Sequence, residues 1–340
     1  MTSGILQGII AASLICWIFG IIGVLANFYV ICSSFRAFLS KNGKKFRFNK
    51  IHTFLIINLA IADFFGSLYL VVIASADRYY LYYHSNIYHC YFQSYCHNVT
   101  NIWVLTPTCS FARFLANIAT FLPTFLTLYI AVDRYTTVVK PHGKYRLTLD
   151  HAKILVVGAW MIALSVTIIS NIRSDQLYDP HNFRIFTNVC YFTDILDPVF
   201  QIVATIGFAL GILFYIATMI LYIAIIVCIH RARYRISDLV VQNRSSRSRA
   251  QMRLSIITGV LAVTNFLSWF PSLVVFIGNA MRLEFLLSYI GYHLSIIAYL
   301  LLFVNSCMNP VCYTILISNH SKRLCLGKKT NSHANIVLVQ

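Results

Sequence analysis

Residues 109–135 read CSFARFLANIATFLPTFLTLYIAVDRY, an apolar stretch with the thiol of Cys109 at one end and the tripeptide Asp133-Arg134-Tyr135 at the other. As an α-helix rising about 1.5 Å per residue, the path from Cys109 to Arg134 covers roughly 37 Å, slightly more than a hydrocarbon core of about 30 Å. Cys109 and Arg134 therefore stand near opposite faces of a bilayer. Working outward from this helix, apolar stretches of spanning length can be drawn at 8–35, 51–77, 107–139, 150–172, 195–230, 250–281 and 286–317. Seven is an odd number, so the two termini lie on opposite sides.

Composition agrees. Of 340 residues, 59% are hydrophobic and only 11% charged, with a mean hydropathy of +0.71, outside the range of soluble domains. Orientation follows from Lys and Arg, which short loops retain in the cytosol. Arg36, Lys41, Lys44, Lys45, Arg47 and Lys50 follow the first span, and Arg134, Lys140, Lys144, Arg146 and Lys153 follow the third. Segment 231–253 adds a run of arginines, and the tail adds Lys322, Arg323, Lys328 and Lys329. The basic residues that remain outside are Arg78, Arg113, Arg173, Arg184 and Arg282. The net charge of +17 is thus a topology signal with a secondary attraction to anionic cytosolic lipids, and no nucleic-acid partner is expected. These readings predict an all-α membrane protein, a seven-transmembrane helix bundle with a short cytosolic tail helix at about 319–327. Residues 1–7 form an extracellular N-terminus, 8–317 the bundle and 318–340 a cytosolic tail.

Four of the ten cysteines, Cys90, Cys96, Cys109 and Cys190, fall in outside segments, where two disulfides can form. Asn98-Val99-Thr100 is a glycosylation acceptor in the loop between spans two and three, whereas the matching patterns at Asn243 and Asn319 lie inside and should be silent. No cleavable signal peptide is evident, so the first span serves as an uncleaved anchor. No transporter-type repeat, metal-ligating cluster, or hydrolytic or redox constellation is present, and neither a metal, a cofactor nor an enzymatic activity is expected.

Polar groups inside the spans carry the functional reading, because a charge at mid-membrane costs at least a few kcal/mol. Asp63 lies half way down the second span, and its expected neighbours are Asn27, Asn305 and Asn309. Such a cluster can hold water, a proton or a small cation, or simply join helices. Asp133 can neutralise the adjacent Arg134, whose planar fork, once released, can reach carbonyls of a protein docking from the cytosol. Trp269-Phe270-Pro271 in span six and Asn309-Pro310-Val311-Cys312-Tyr313 in span seven place proline kinks inside helices.

Taken in order, these residues resemble the rhodopsin-like (class A) G-protein-coupled receptors. The matches are Asn27; Asn58, Leu59, Ala62 and Asp63; Cys109 and Asp133-Arg134-Tyr135; Trp160; Tyr222; Trp269 and Pro271; and Asn309-Pro310 with Tyr313. The resemblance implies a Cys109–Cys190 disulfide and assigns Arg134, Tyr222 and Tyr313 to an activation switch beside a heterotrimeric G protein. Residues 54–65 and 70–77, Thr264-Asn265-Phe266, residues 304–310, and Phe214 in place of a mid-helix proline are similar to the leucine-rich-repeat-containing branch, the relaxin and glycoprotein-hormone type. That branch carries a large ectodomain, whereas about seven residues precede the first span here. Pro123 stands where many members place a serine for sodium, and Gln251 where some have an acid that locks Arg134.

Ala116 replaces the aspartate of amine receptors, and Phe303 the retinal lysine of opsins. A peptide is therefore expected over an amine. Loop 78–106, held by Cys90 and Cys96, together with Asp175, Asp179, Asp194, Asp197 and Glu284, suits a peptide with basic residues, or is a solvated surface. Arg113, Asn117 and Thr120, with Trp269, Tyr289, Tyr292 and His293 across from them, either line a ligand pocket or bond helix to helix. Inside, Ser237, Ser245, Ser246 and Ser248 are kinase candidates, Cys325 is a palmitoylation candidate, and arrestin and receptor kinases join membrane lipids as further partners. The expectation is a multi-pass plasma-membrane receptor with its N-terminus outside and C-terminus in the cytosol. Alternatives are a ligand-independent or heteromeric receptor and an ion-coupled transporter built on Asp63.

Overall fold

The computed structural model describes residues 5–6, 9–39, 50–83, 103–104, 106–140, 147–176, 189–191, 197–237, 246–281, 283–287, 290–291 and 293–311. These form helices α1 (Ile10–Leu39), α2 (Lys50–Tyr83), α3 (Pro107–Val138), α4 (Leu149–Gln176), α5 (Pro198–Ser237) and α6 (Ser246–Ala280). After the single turn Glu284–Leu287 comes α7 (His293–Val311). No strand occurs among the described residues. All but α6 are long and apolar enough to cross a membrane; α6 carries a shorter apolar stretch, Ala262–Gly278, behind an arginine-rich inner end.

Helix starts follow local chemistry. At α3 the Thr106 side chain accepts the Cys109 N–H at 3.2 Å and Pro107 occupies the first turn, a cap followed by a residue with no N–H to satisfy. At α5 the Asp197 carboxylate accepts the N–H groups of Val199 at 3.0 Å and Phe200 at 3.3 Å.

Several helices run past the ends expected from sequence, α1 to Leu39, α4 to Gln176 and α5 to Ser237. Helix α2 continues past 77 to Tyr83, and the buried carboxylate of Asp77 within it accepts the Leu6 N–H at 2.8 Å. Within the expected seventh span the structure describes a helical turn at Glu284–Leu287 and α7 from His293 to Val311.

Helix α3 is the axis of the bundle, with 72% of its most apolar window buried against 22% in α5. The outward residues of α4 and α5, Ile154, Val157, Met161, Ile202, Ile206 and Leu213 among them, are exposed. In water such a face would be an interaction or aggregation surface; in a bilayer it matches its surroundings. Because lipid tails are as apolar as leucine, polar links and close packing hold the helices. Trp160 Nε1 donates to Asn58 Oδ1 at 3.1 Å between α4 and α2, and Asn27 Nδ2 donates to the Ser306 carbonyl at 2.9 Å between α1 and α7. Just past the α6 proline, Ser272 Oγ donates to the Ala298 carbonyl at 2.8 Å.

Candidate functional site

The end of the bundle expected from the basic loops to face outward, here the outer end, is built around a bridge. Cys109 on α3 is bonded to Cys190 with a Cα–Cα distance of 5.5 Å, within the usual disulfide range. Cys190 has φ 50°, a left-handed conformation that non-glycine residues hold only where surroundings over-determine it. Here the bridge and burial do so, with Val189 and Cys190 at most 2% exposed. The chain is thereby turned inward, and Tyr191 enters the helix bundle.

Tyr191 is 5% exposed. Its ring lies 4.5 Å from Tyr299 of α7, which in turn lies 5.9 Å from Phe303, and Phe303 is 4.4 Å from Tyr69 of α2. Tyr69 Oη donates to the Val189 carbonyl at 2.7 Å. Burial pushes the Tyr191 hydroxyl above the usual phenol range. The second outer loop thus fills part of the crevice with its own side chain. Sequence reading missed this; the available signal was that a residue following a bridged cysteine must lie near the mouth.

Arg113, one turn above Asn117, is 2% exposed, with Nη1 3.6 Å from Asp175 Oδ1 at the end of α4 and no hydrogen-bond acceptor at Nε. Asn117 Nδ2 and Thr120 Oγ1 donate back to the Arg113 and Ala116 carbonyls. The Thr120 side chain also meets the Tyr191 hydroxyl. Two of the expected acidic residues lie beside arginines of the chain, Asp175 while 69% exposed and Asp197 buried. Asp175 faces Arg113, and Asp197 takes the Arg173 guanidinium at 2.7 Å and 3.3 Å. Arg173, then the Phe200 and Val199 N–H groups, hold the Asp197 carboxyl below the usual carboxylate range. Glu284 is exposed, and His293 is half-buried at the start of α7.

At mid-membrane, Asn309 Nδ2 donates to Asp63 Oδ2 at 2.8 Å, with Ser306 beside the same carboxylate. The other expected neighbours turn elsewhere. Asn27 bonds the Gly23 and Ser306 carbonyls, and Asn305 Nδ2 donates to Asn265 Oδ1 of α6 at 3.0 Å. An amide at helical spacing picks whichever acceptor packing brings near, so Asn265 belongs to this network. Trp269 packs against Phe208 and Tyr215 of α5, each with ring centroids 5.9 Å away.

The inner end holds the clasp. Arg134 Nε donates to Asp133 Oδ2 at 3.1 Å and Nη2 bonds the same oxygen. The two residues are 1–2% exposed. His52, in the first turn of α2, brings Nδ1 within 3.7 Å of that oxygen, a neighbour the sequence reading did not name. Tyr222 of α5 is buried with Ala131, Ile225 and Ala262 against Tyr135 and Val138. A Cβ at Gly259 of α6 would lie 3.4 Å from Tyr222 Cδ1, so the ring of Tyr222 rests on α6 where that helix has no side chain.

Cys90, Cys96, Asn98, Tyr289, Tyr292, Tyr313, Cys325, Asp179, Asp194 and the tail helix lie outside the described residues, as does the side chain of Gln251.

Comparison with known proteins places this geometry. The 7 transmembrane receptor (rhodopsin family) profile matches residues 27–313. The chain is 25% identical over 328 residues to G-protein coupled receptor GRL101 of Lymnaea stagnalis, covering 94% of this chain and 26% of that protein. It is 23% identical to the thyrotropin receptor of Ovis aries, covering 89% and 34%, and 23% identical to the lutropin-choriogonadotropic hormone receptor of Callithrix jacchus, covering 92% and 40%. It therefore spans less than half the length of these relatives. Squid rhodopsin shares the fold, with a TM-score of 0.63 at 17% identity over 89% of this chain and 80% of that one. With a helix bundle of that fold, a bridged third helix, an Asp-Arg clasp and a family profile running from Asn27 to Tyr313, the chain belongs to the rhodopsin family of seven-transmembrane receptors.

Proposed function

We propose that this receptor passes an extracellular signal to a heterotrimeric G protein at the plasma membrane, its N-terminus outside and its C-terminus in the cytosol. The observation that carries the reading is the buried Asp133–Arg134 clasp beside Tyr222 at the basic end of the bundle. The resting state keeps Arg134 occupied. Swinging the inner end of α6 about the kink at Pro271 separates Gly259 from Tyr222 and opens a path to Arg134. An activating ligand is one that binds this opened state more tightly. A peptide fits better than a cationic amine, because the buried Arg113 puts positive charge one turn above Ala116. The hormone receptors among the relatives support a protein or peptide signal.

The test is basal and peptide-stimulated G-protein activation, read by a biosensor panel in cells lacking an endogenous response. Arg134→Ala is expected to abolish the signal while sparing surface expression. Full activation by that variant would overturn the assignment. A ligand-independent receptor is the second reading, favoured by Tyr191 occupying the crevice. On that reading Tyr191→Ala lowers the basal signal.

A further inference from the structure

A cavity of about 180 Å³ opens between α3, α4 and α5, with Phe121, Thr124 and Phe125 of α3 on one wall and Gly207 and Gly211 of α5 on the other. Trp269 of α6 also lines it. Its rim is Ile162 of α4 with Ile202, Ile206 and Leu210 of α5, which are 40–59% exposed on the lipid-facing surface. Phe121 lies twelve residues from Cys109 and thirteen from Arg134, or about 18 Å and about 20 Å along the helix. The mouth therefore stands at the bilayer midplane, where acyl chains end.

Two glycines of α5 line the cavity, Gly211 leaving room beside Trp269 and Gly207 letting the Phe121 ring pack against the helix backbone. A Cβ at Gly211 would lie 3.8 Å from Trp269 Cζ3, and one at Gly207 would lie 2.7 Å from Phe121 Cε1. A Cβ alone at Gly211 makes ordinary contact with Trp269, whereas a long side chain there fills the cavity. The lining offers nothing that calls for water, since the Thr124 hydroxyl donates to the Thr120 carbonyl at 3.2 Å. An engineered apolar cavity of about 150 Å³ stays dry and binds benzene, so this one accepts a few methylenes or one ring, and a fused ring system is too large.

We infer that this cavity is a binding site for the terminal segment of a phospholipid acyl chain, entering sideways from the bilayer core. Its surface continues the lipid-facing surface of α4 and α5 without a polar step, so hydrocarbon is the solvent at its mouth. The occupant touches Trp269, two residues before Pro271. On the receptor reading above, acyl-chain composition then becomes an input to the α6 kink.

The test reads occupancy and needs no signalling. The full chain is reconstituted in nanodiscs of phosphatidylcholine carrying a diazirine at the end of one acyl chain, irradiated, and its adducts mapped by mass spectrometry. Adducts are expected on the cavity floor, Phe121, Phe125 and Trp269. They should fall about tenfold in Gly211→Leu and persist in Gly211→Ala. Labelling confined to Ile202, Ile206 and Leu210, or floor labelling unchanged in Gly211→Leu, would overturn the site. Loss of floor labelling in Gly211→Ala as well would also count against it, because that variant leaves the cavity open.

Discussion

The two ends of the bundle are held in different ways. At the outer end the links join segments far apart in the chain. The Cys109–Cys190 bridge closes 81 residues, Leu6 is tied to Asp77, and Tyr69 to Val189. At the inner end the central ion pair joins two adjacent residues on one helix, Asp133 and Arg134, with His52 alongside. A link between distant segments restrains the helices against each other, whereas a link within one helix turn does not. The described links therefore tie helix to loop and helix to helix at the outer end, and leave the ion pair at the inner end within a single helix.

Breaking the outer bridge should have the largest effect. Cys109→Ser is expected to cost about 2–5 kcal/mol, seen as a lower thermal midpoint in detergent and reduced surface expression. A wild-type midpoint would mean that Tyr191 and its ring contacts hold the crevice without the bridge. Asp133→Asn should act oppositely on function and less on stability, costing about 1–3 kcal/mol. It weakens the acceptor of a buried guanidinium, so basal G-protein activation is expected to rise; an unchanged basal signal would place the restraint on Arg134 elsewhere.

Asp197→Ala removes the α5 cap together with the Arg173 pair, and is expected to cost about 1 kcal/mol. The pH dependence has a definite sign. A carboxyl held below its ordinary value contributes stability that is fully present above the normal carboxylate range near about 4 and disappears as pH falls through its depressed value. The wild-type and Asp197→Ala thermal midpoints should therefore differ at neutral pH and converge in acid. A gap that persists at low pH would trace the loss to packing alone. Trp160→Phe belongs to neither end and serves as the baseline. It removes one hydrogen bond to Asn58 at mid-membrane and should cost about 0.6 kcal/mol, with no change in basal signal.

The span positions and the pieces of both ends were legible because each rests on local chemistry: apolar length, basic loops, proline in a helix, adjacent opposite charges. The partners were not. Asn305 stands four residues before Asn309 on α7, yet one bonds Asn265 and the other Asp63, and helical spacing alone does not distinguish them. Asp175 and Asp197 look in sequence like free surface charge for a basic peptide, but each faces an arginine of the chain itself. The partner of Asp77 is the N–H of Leu6, seventy-one residues away in the chain.

What the sequence by itself determined is the solvent and the repertoire. A chain of this hydropathy must satisfy its backbone within helices, and the few polar groups left inside them mark where function lies. Only the tertiary structure decided which of those groups meet, that Tyr191 enters the crevice, and that Gly211 leaves a cavity beside Trp269. Those outcomes depend on helix rotation and depth, and because every face of such a helix is apolar, its sequence periodicity does not encode them.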